Sequence, residues 1–215
     1  MKGQLPSLSC KRSWMPTSRR LEALGNGVFA RTDRAKQAHR DKTGVPPLID
    51  LSLGSTDLQP PEEILRCMAA AVTDPASSAY CLEAGTAPFQ QVVAAWCQRR
   101  FGVEVDPKRQ VQLLVGSQEG TAHLPLAILD PGDRALLLDP SYPSHRGGLV
   151  LAGASICSLP LSQEQDWLPD FDAIRPQLWD QLKLFVLGYP HNPTARVGNQ
   201  ELLDQAMARG CRHQL

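Results

Sequence analysis

The sequence lacks several features whose presence would point to particular classes of protein. Its 22 basic residues are balanced by 22 acidic ones, so no net charge favours a nucleic acid or an anionic membrane surface as a partner. Its longest apolar runs reach about half the ~20 residues that a membrane-spanning helix requires, so no transmembrane segment is expected. The six cysteines form no CxxC pair, and reduced thiols in a cytoplasmic protein without a secretory leader are expected.

Motifs of common nucleotide, hydrolytic and metal sites are also missing. The chain has neither GxxxxGKS/T nor a GxGxxG that follows a strand, which argues against the usual nucleotide sites. Without a GxSxG elbow, Ser117 is not predicted to be a hydrolase nucleophile. No metal is predicted, because four histidines show no metal-ligand spacing and are expected to be ordinary surface or core residues: His123, His145, His191 and His213.

The first 47 residues differ in composition and hydrophobic pattern from the rest of the chain. Residues 1–21 contain basic residues and serines but no acid, a composition that suits an organellar transit peptide. A loosely packed arm is the preferred interpretation, because no amphipathic face is visible. Residues 22–47 are polar and weakly helical, and Pro46-Pro47 ends them.

Residues 48–102 predict a short strand and two helices. The strand-like run 49–53 leads to Gly54, and Pro60-Pro61 opens a helix, because proline is favoured in the first helical turn. A second helix opens near Thr86 and ends at Gly102. The predicted buried stripe of the first helix comprises Ile64, Leu65, Met68 and Val72, and that of the second comprises Phe89, Val92, Val93, Trp96 and Cys97.

From residue 111 onward, short apolar strands alternate with helices. The strands are predicted at 111–115, 135–138, 155–159 and 184–187, and the main helices at 121–129, 144–152 and 201–209. Asn199 is expected to cap the last helix, whose inward residues are Leu202, Leu203, Ala206 and Met207. Continuous apolar strands of this kind predict an α/β fold with a mostly parallel sheet covered by helices on both faces.

Three of the strands run into unusual loops, at 116–120, 139–143 and 188–194. In a parallel sheet the carboxyl ends of the strands share one edge, which is where ligands bind. The first loop leads into a helix N-terminus, where free N–H groups and the helix dipole favour an anion, and Ser117 adds a hydroxyl. Tyr142 adds an aromatic ring and Asn192 an amide, so the set suits a flat, phosphorylated aromatic ligand.

Each of these residues also has an ordinary structural interpretation. Taken singly, Ser117 is more often a helix cap, Tyr142 a packing aromatic and Asn192 a turn residue. Their occurrence together and in order is what favours the binding interpretation.

Several motifs together resemble the class I/II pyridoxal-phosphate aminotransferases of fold type I, and especially the branch of the diaminopimelate aminotransferases. The motifs are IDLSLGSTD at 49–57, Tyr80 with Gly85, VGSQEG at 115–120, LDPGD at 129–133, DPSYP at 139–143 and YPHNPT at 189–194. The resemblance implies an incomplete large domain of that fold, a three-layer sandwich over residues 48–215. Residues 1–47 are then an N-terminal arm and the start of the small domain.

The resemblance implies roles for six residues. Ser117 and the backbone of Gln118 hold the cofactor phosphate, Tyr142 stacks on the pyridine ring, and Asn192 binds its phenolic oxygen. Tyr80 reaches the phosphate in the partner subunit, which implies a homodimer, and Gly54 lies where the substrate carboxylate meets backbone.

The implied activity is transfer of an amino group from an amino acid to a 2-oxo acid, in amino-acid biosynthesis. A non-catalytic remnant, or a fold type I lyase or decarboxylase, are the alternatives.

Three positions depart from the pattern of the branch. Gln118 stands where a lysine is common, Ala195 replaces the glycine that usually follows NPT, and Gly27 stands where an aromatic residue is common.

The family's chemistry also needs a lysine in an SxSK-like motif, an aspartate that pairs with the pyridine nitrogen, and an arginine that binds the substrate carboxylate. None occurs in its motif up to Leu215. No catalytic residue is therefore assigned, and the six lysines are expected at the surface. The chain is expected to be a truncated, inactive fragment that is unstable by itself, because only part of the family's sheet is present.

Overall fold

The computed structural model describes residues 17–25, 27–80 and 82–215. Residues 1–16 of the predicted arm, which include Cys10, lie outside the described residues, as does Cys81. Two compact units are present: Lys36–Ser117 forms one, and Met1–Ala35 with Gln118–Leu215 forms the other. The domain boundary at residue 47 stays a prediction.

The described residues form helices and a small sheet. The helices are α1 (Arg19–Leu24), α2 (Val28–Arg40), α3 (Glu62–Thr73), α4 (Glu83–Phe101), α5 (Ser117–Ile128), α6 (Pro143–Ala152), α7 (Pro176–Trp179) and α8 (Gln200–His213). The strands are β1 (Arg134–Asp139), β2 (Ser155–Pro160) and β3 (Leu182–Val186), and two short 3-10 turns cover Pro75–Ser78 and Phe171–Ala173. No helix among these is both long and apolar enough to cross a membrane.

The sheet has the order β2-β1-β3, and both pairs are parallel. β1 is therefore the central strand: its Leu137 lies opposite Ser158 of β2 on one side and Val186 of β3 on the other. The parallel sheet inferred from the alternation of strands and helices is confirmed.

Alternate residues of β1 enter two separate apolar cores. Ala135 and Leu137 pack in a cluster with Leu149 and Ala152 of α6. Leu136 and Leu138 belong to the second cluster, which includes residues of α8 and the aromatic side chains of Phe171 and Trp179. Because successive side chains of a strand point to opposite faces, α6 and α8 cover opposite faces of the sheet, as predicted.

Both predicted helix caps are present. Gly102 ends α4 in the left-handed conformation, with φ of 69°, which glycine adopts without steric cost. The side chain of Asn199 accepts a hydrogen bond from the backbone N–H of Leu202 at 2.8 Å at the start of α8.

Two predicted strands are absent from the sheet that the described residues form. Residues 111–115 and 49–53 adopt no strand conformation, and Val115 is 93% exposed. The three strands that do pair all belong to the other unit. A residue pattern can favour a strand. The strand forms only where a neighbouring strand can pair with its backbone N–H and C=O groups.

Several predicted inward faces are exposed. The apolar stripe of α3 has no buried member, and Met68 is 60% exposed. In α8, Leu202 and Ala206 are buried, as predicted, whereas Leu203 and Met207 are exposed. The predicted buried stripe of α3 is therefore wrong within the described residues, and that of α8 is confirmed for two of its four members.

Helices α5 and α6 approach each other closely at one glycine. A Cβ atom added to Gly148 would lie 2.8 Å from the carbonyl oxygen of Ala122 and 3.0 Å from that of Thr121. Both of these atoms belong to backbone, so a flexible side chain cannot relieve the contact. The neighbouring Gly147 is different, since its added Cβ would meet only the end of the Leu24 side chain, at 3.7 Å.

This contrast predicts different effects for two adjacent substitutions. Gly148→Ala is expected to lower the free energy of unfolding by about 1–3 kcal/mol, because the helices must separate. Gly147→Ala is the matched control and is expected to change it by less than about 1 kcal/mol in either direction. Urea unfolding followed by circular dichroism measures both, and equal losses would contradict the close approach.

Ala195 occupies a conformation that suits glycine. Its φ is 60°, in the left-handed region, and its N–H donates to the carbonyl oxygen of His191 at 2.7 Å. A residue with a Cβ pays about 1–2 kcal/mol for this conformation, which gives a physical reason for the glycine usual at this position.

Ala195→Gly is therefore expected to raise the free energy of unfolding by about 0.5–1 kcal/mol, after the entropy that glycine adds to the unfolded chain is subtracted. Ala127→Gly, inside α5, is the control and is expected to lower it by about 0.5–1 kcal/mol. Thermal and urea denaturation report both values. A loss of stability at position 195 would show that its left-handed backbone is not strained.

Candidate functional site

Two loops that follow adjacent parallel strands enclose a cavity of about 170 Å³. The first loop continues from β1 and the second from β3, so both lie at the carboxyl edge of the sheet. The two loops and the start of α6 contribute the polar and aromatic lining: Ser141, Tyr142, His145, Tyr189, His191 and Asn192. Tyr142 and Asn192, proposed from separate stretches of sequence, thus line the same cavity.

The ring of Tyr142 has two defined contacts. Its hydroxyl donates to the side-chain carbonyl oxygen of Gln118 at 3.3 Å. Its ring meets that of His145 edge to face, with 5.7 Å between centroids and 71° between planes. Gln118 belongs to the first turn of α5, so the phenol is connected to the beginning of that helix.

Buried His191 connects the two loops. Its side chain is in contact with the carbonyl oxygen of Pro140 through Nε2 at 3.1 Å and with the hydroxyl of Thr194 through Nδ1 at 2.8 Å. The residue is 4% exposed. The sequence suggested only an ordinary surface or core histidine here, since the spacing gave no sign of a contact with Pro140.

The environment of the cavity changes two pKa values. Burial lowers the pKa of His145, so its imidazole is neutral at neutral pH. Burial raises the pKa of Tyr189, against a smaller opposite effect of Arg196. The phenol of Tyr189 therefore keeps its proton, which it donates to the carbonyl oxygen of Trp167 at 2.8 Å.

Three of the sequence-predicted residues belong to the unit Lys36–Ser117, whereas the residues that line the cavity belong to the other unit. Ser117 is the first residue of α5 and is exposed. The side chain of Tyr80 is 94% exposed. Gly54 is exposed, and a Cβ added there would meet no atom within 4 Å, so packing gives no reason for a glycine.

The lysines of the described residues do not line this cavity. Lys183 lies in β3 and pairs with Asp133 at 2.9 Å, a hydrogen bond that raises the lysine pKa. Lys36 pairs with Asp50 at 3.1 Å. Hydrogen bonds from the side chain and backbone of Ser52, with a further one from Lys36, lower the pKa of Asp50 to about 2.

Comparison with known proteins gives consistent results for most of the chain. The sequence profile of the aminotransferase class I and II family matches residues 46–213. An LL-diaminopimelate aminotransferase of Maridesulfovibrio salexigens is 38% identical over 90% of this chain and 50% of its own length. The corresponding protein of Nitratidesulfovibrio vulgaris strain Miyazaki F is 42% identical over 82% of this chain and 45% of its own.

Solved structures show the same fold. A probable N-succinyldiaminopimelate aminotransferase from Thermus thermophilus has a TM-score of 0.81 at 41% identity, covering 88% of this chain and 50% of that one. A mutant aspartate aminotransferase from Thermus thermophilus has a TM-score of 0.82 at 26% identity, covering 94% and 52%. The chain thus spans about half the length of the relatives it matches, and it belongs to the class I and II aminotransferases, with the α/β fold of type I that its sequence predicts.

Proposed function

We propose that this chain is the cofactor-binding part of a pyridoxal-phosphate-dependent aminotransferase that transfers an amino group between an amino acid and a 2-oxo acid. The observation that carries the proposal is the cavity that Tyr142 and Asn192 both line. Family membership supports it, because class I and II aminotransferases generally use this cofactor.

The cavity fits the ring of the cofactor in size and chemistry. Its volume is about 170 Å³, and a cavity of about 150 Å³ in another protein holds benzene. A phenol ring and a carboxamide at its wall provide a flat apolar surface and a polar group that can bond to a ring substituent. These are the two kinds of contact that a substituted pyridine requires.

We propose that the phosphate is held at the start of α5. Ser117 supplies a hydroxyl and the backbone of Gln118 supplies an N–H in the first turn, where the helix dipole favours an anion. Because the side chain of Gln118 accepts from Tyr142, the residue that contacts the phosphate also fixes the aromatic ring. Gln118 brings no positive charge, so neutral donors and the helix dipole supply the attraction.

When bound, pyridoxal phosphate supplies an electron-withdrawing ring that stabilises negative charge on the substrate. The chain's own contribution is to orient that ring: Tyr142 would pack against it, and the Asn192 amide would donate to its phenolic oxygen. The neutral imidazole of His145 keeps an additional positive charge away from the cavity.

Further parts of the proposal concern the partner subunit and the substrate. The exposed Tyr80 would reach the phosphate in the other copy of a homodimer, and Gly54 would let the substrate carboxylate approach backbone. A substrate of the diaminopimelate type is proposed from the names of the relatives. We also propose that residues 1–47 form an N-terminal arm and the start of the small domain, and that residues 48–215 belong to the large domain. The proposal includes a role in amino-acid biosynthesis and a cytoplasmic location.

Two substitutions test the cofactor contacts. Tyr142→Ala and Asn192→Ala are each expected to weaken the binding of pyridoxal phosphate by about tenfold, the effect of roughly 1.4 kcal/mol of lost contact. Tyr142→Phe is the matched control, since it keeps the ring and removes only the 3.3 Å hydrogen bond to Gln118.

Equilibrium dialysis of the cofactor against each variant measures the change. Unaltered affinity in both alanine variants, or no retention of the cofactor by the unmodified chain, would contradict the assignment of these residues.

A chimera tests the reaction. Residues 48–215 joined to the second half of the Nitratidesulfovibrio vulgaris relative are expected to transfer amino groups at a rate that depends on the added 2-oxo acid. The chain by itself is expected to show no such activity, and borohydride is expected to fix no cofactor on one unique lysine. Product release that is independent of 2-oxo acid would instead indicate a lyase or a decarboxylase.

A further inference from the structure

We propose that His191 is a positioning residue, which holds the loop that carries Tyr142 at a fixed separation from the loop that carries Asn192. The proposal rests on the proposed function in one respect: these two residues are taken to be the cofactor contacts. The bridge between the loops itself is a property of the chain, and it can be tested without any cofactor.

The hydrogen-bond partners of His191 define its tautomer. The carbonyl oxygen of Pro140 can only accept, so the proton of the imidazole must lie on Nε2, 3.1 Å away. In the neutral imidazole Nδ1 is then an acceptor, and the Thr194 hydroxyl donates to it at 2.8 Å. The oxygen of that hydroxyl accepts from the N–H of Arg196 at 3.4 Å. A neutral imidazole thus satisfies both contacts.

The backbone of His191 is fixed as firmly as its ring. Its N–H donates to the carbonyl oxygen of Arg196, and its carbonyl oxygen accepts from the N–H of Ala195, both at 2.7 Å. The turn 191–196 is therefore closed upon itself, and the imidazole extends from it toward the other loop. Because the residue is almost fully buried, loss of the bond to Pro140 would leave a buried ring N–H without its partner, which is costly.

This bond connects the two chain segments beyond the last paired residues of β1 and β3. The pairing of β1 with β3 ends at Leu137 and Val186. Beyond it, the bond between His191 and Pro140 joins residues 51 positions apart, and among the hydrogen bonds described it is the one that links the two loops. Pro140 lies two residues before Tyr142, and His191 directly precedes Asn192, so the bond acts close to both contact residues.

Two conservative substitutions separate positioning from packing. His191→Gln places an amide N–H near the original Nε2 and keeps the donor to Pro140. His191→Asn has a shorter side chain, which keeps a polar group near Thr194 but does not reach Pro140. The matched controls are His213→Gln and His213→Asn, since His213 is hydrogen-bonded to Asp180 at 2.7 Å and lies outside the cavity.

The first measurement needs no cofactor. In the 215-residue chain, ¹⁵N NMR of His191 is expected to show a protonated Nε2 and an unprotonated Nδ1, with a nuclear Overhauser contact to Pro140. The ring signals of Tyr142 are expected to change in the Asn variant and to remain in the Gln variant. A proton on Nδ1 alone, or the same Tyr142 signals in both variants, would overturn the bridge.

The second measurement is cofactor affinity, compared with urea stability for each variant. His191→Asn is expected to weaken pyridoxal phosphate binding by about tenfold, and His191→Gln by less than about threefold, as expected for one buried hydrogen bond. The His213 pair is expected to leave affinity unchanged. Equal losses in the two His191 variants, or losses that simply follow stability, would overturn a positioning role.

If the unmodified chain binds no cofactor while the NMR result is as expected, the proposed function fails and the bridge stands. The Nitratidesulfovibrio vulgaris chimera that carries the same four variants gives the same comparison in an assembled enzyme. Both the affinity ratio and the Tyr142 signals can be measured there.

Discussion

Parallel pairing of β1 with β3 is the constraint on which the candidate site depends. Two strands that run in the same direction end at the same edge, so the loops that follow them must meet although about fifty positions separate them in sequence. The burial of β1 on both faces holds this pairing in place, because α6 and α8 bury alternate residues of the same strand. The cavity is a consequence of how the central strand is packed.

Much of the sheet-bearing unit was predictable from the sequence, for local reasons. Continuous apolar strands between helices predict parallel pairing, and the cap residues Gly102 and Asn199 mark helix ends through contacts within a few positions. Residues 111–115 have the same apolar texture as β1 but lie in the unit that contributes no strand to the sheet. Their apolar pattern favours strand conformation, but the strand forms only if a neighbouring strand pairs with it.

The candidate site was predictable to a similar extent. Tyr142 and Asn192 could be found because each follows a strand, and the geometry of parallel sheets then brings them to one edge. His191 could not be assigned a function in this way, since its meaning depends on a carbonyl oxygen in another loop. Every residue has a backbone carbonyl oxygen, so the sequence does not indicate which one accepts a hydrogen bond from a side chain. A histidine that donates to such an oxygen therefore cannot be distinguished in the sequence from any other buried histidine.

The contact at Gly148 has a consequence for how the site can vary. Position 148 sets how near α6 comes to the carbonyl groups of Thr121 and Ala122, one turn after the residues at the start of α5. A bulkier residue there displaces the helix whose first turn includes Gln118, and Gln118 in turn holds the Tyr142 phenol. A change at this helix crossing would therefore move the Tyr142 ring without replacing any residue that lines the cavity.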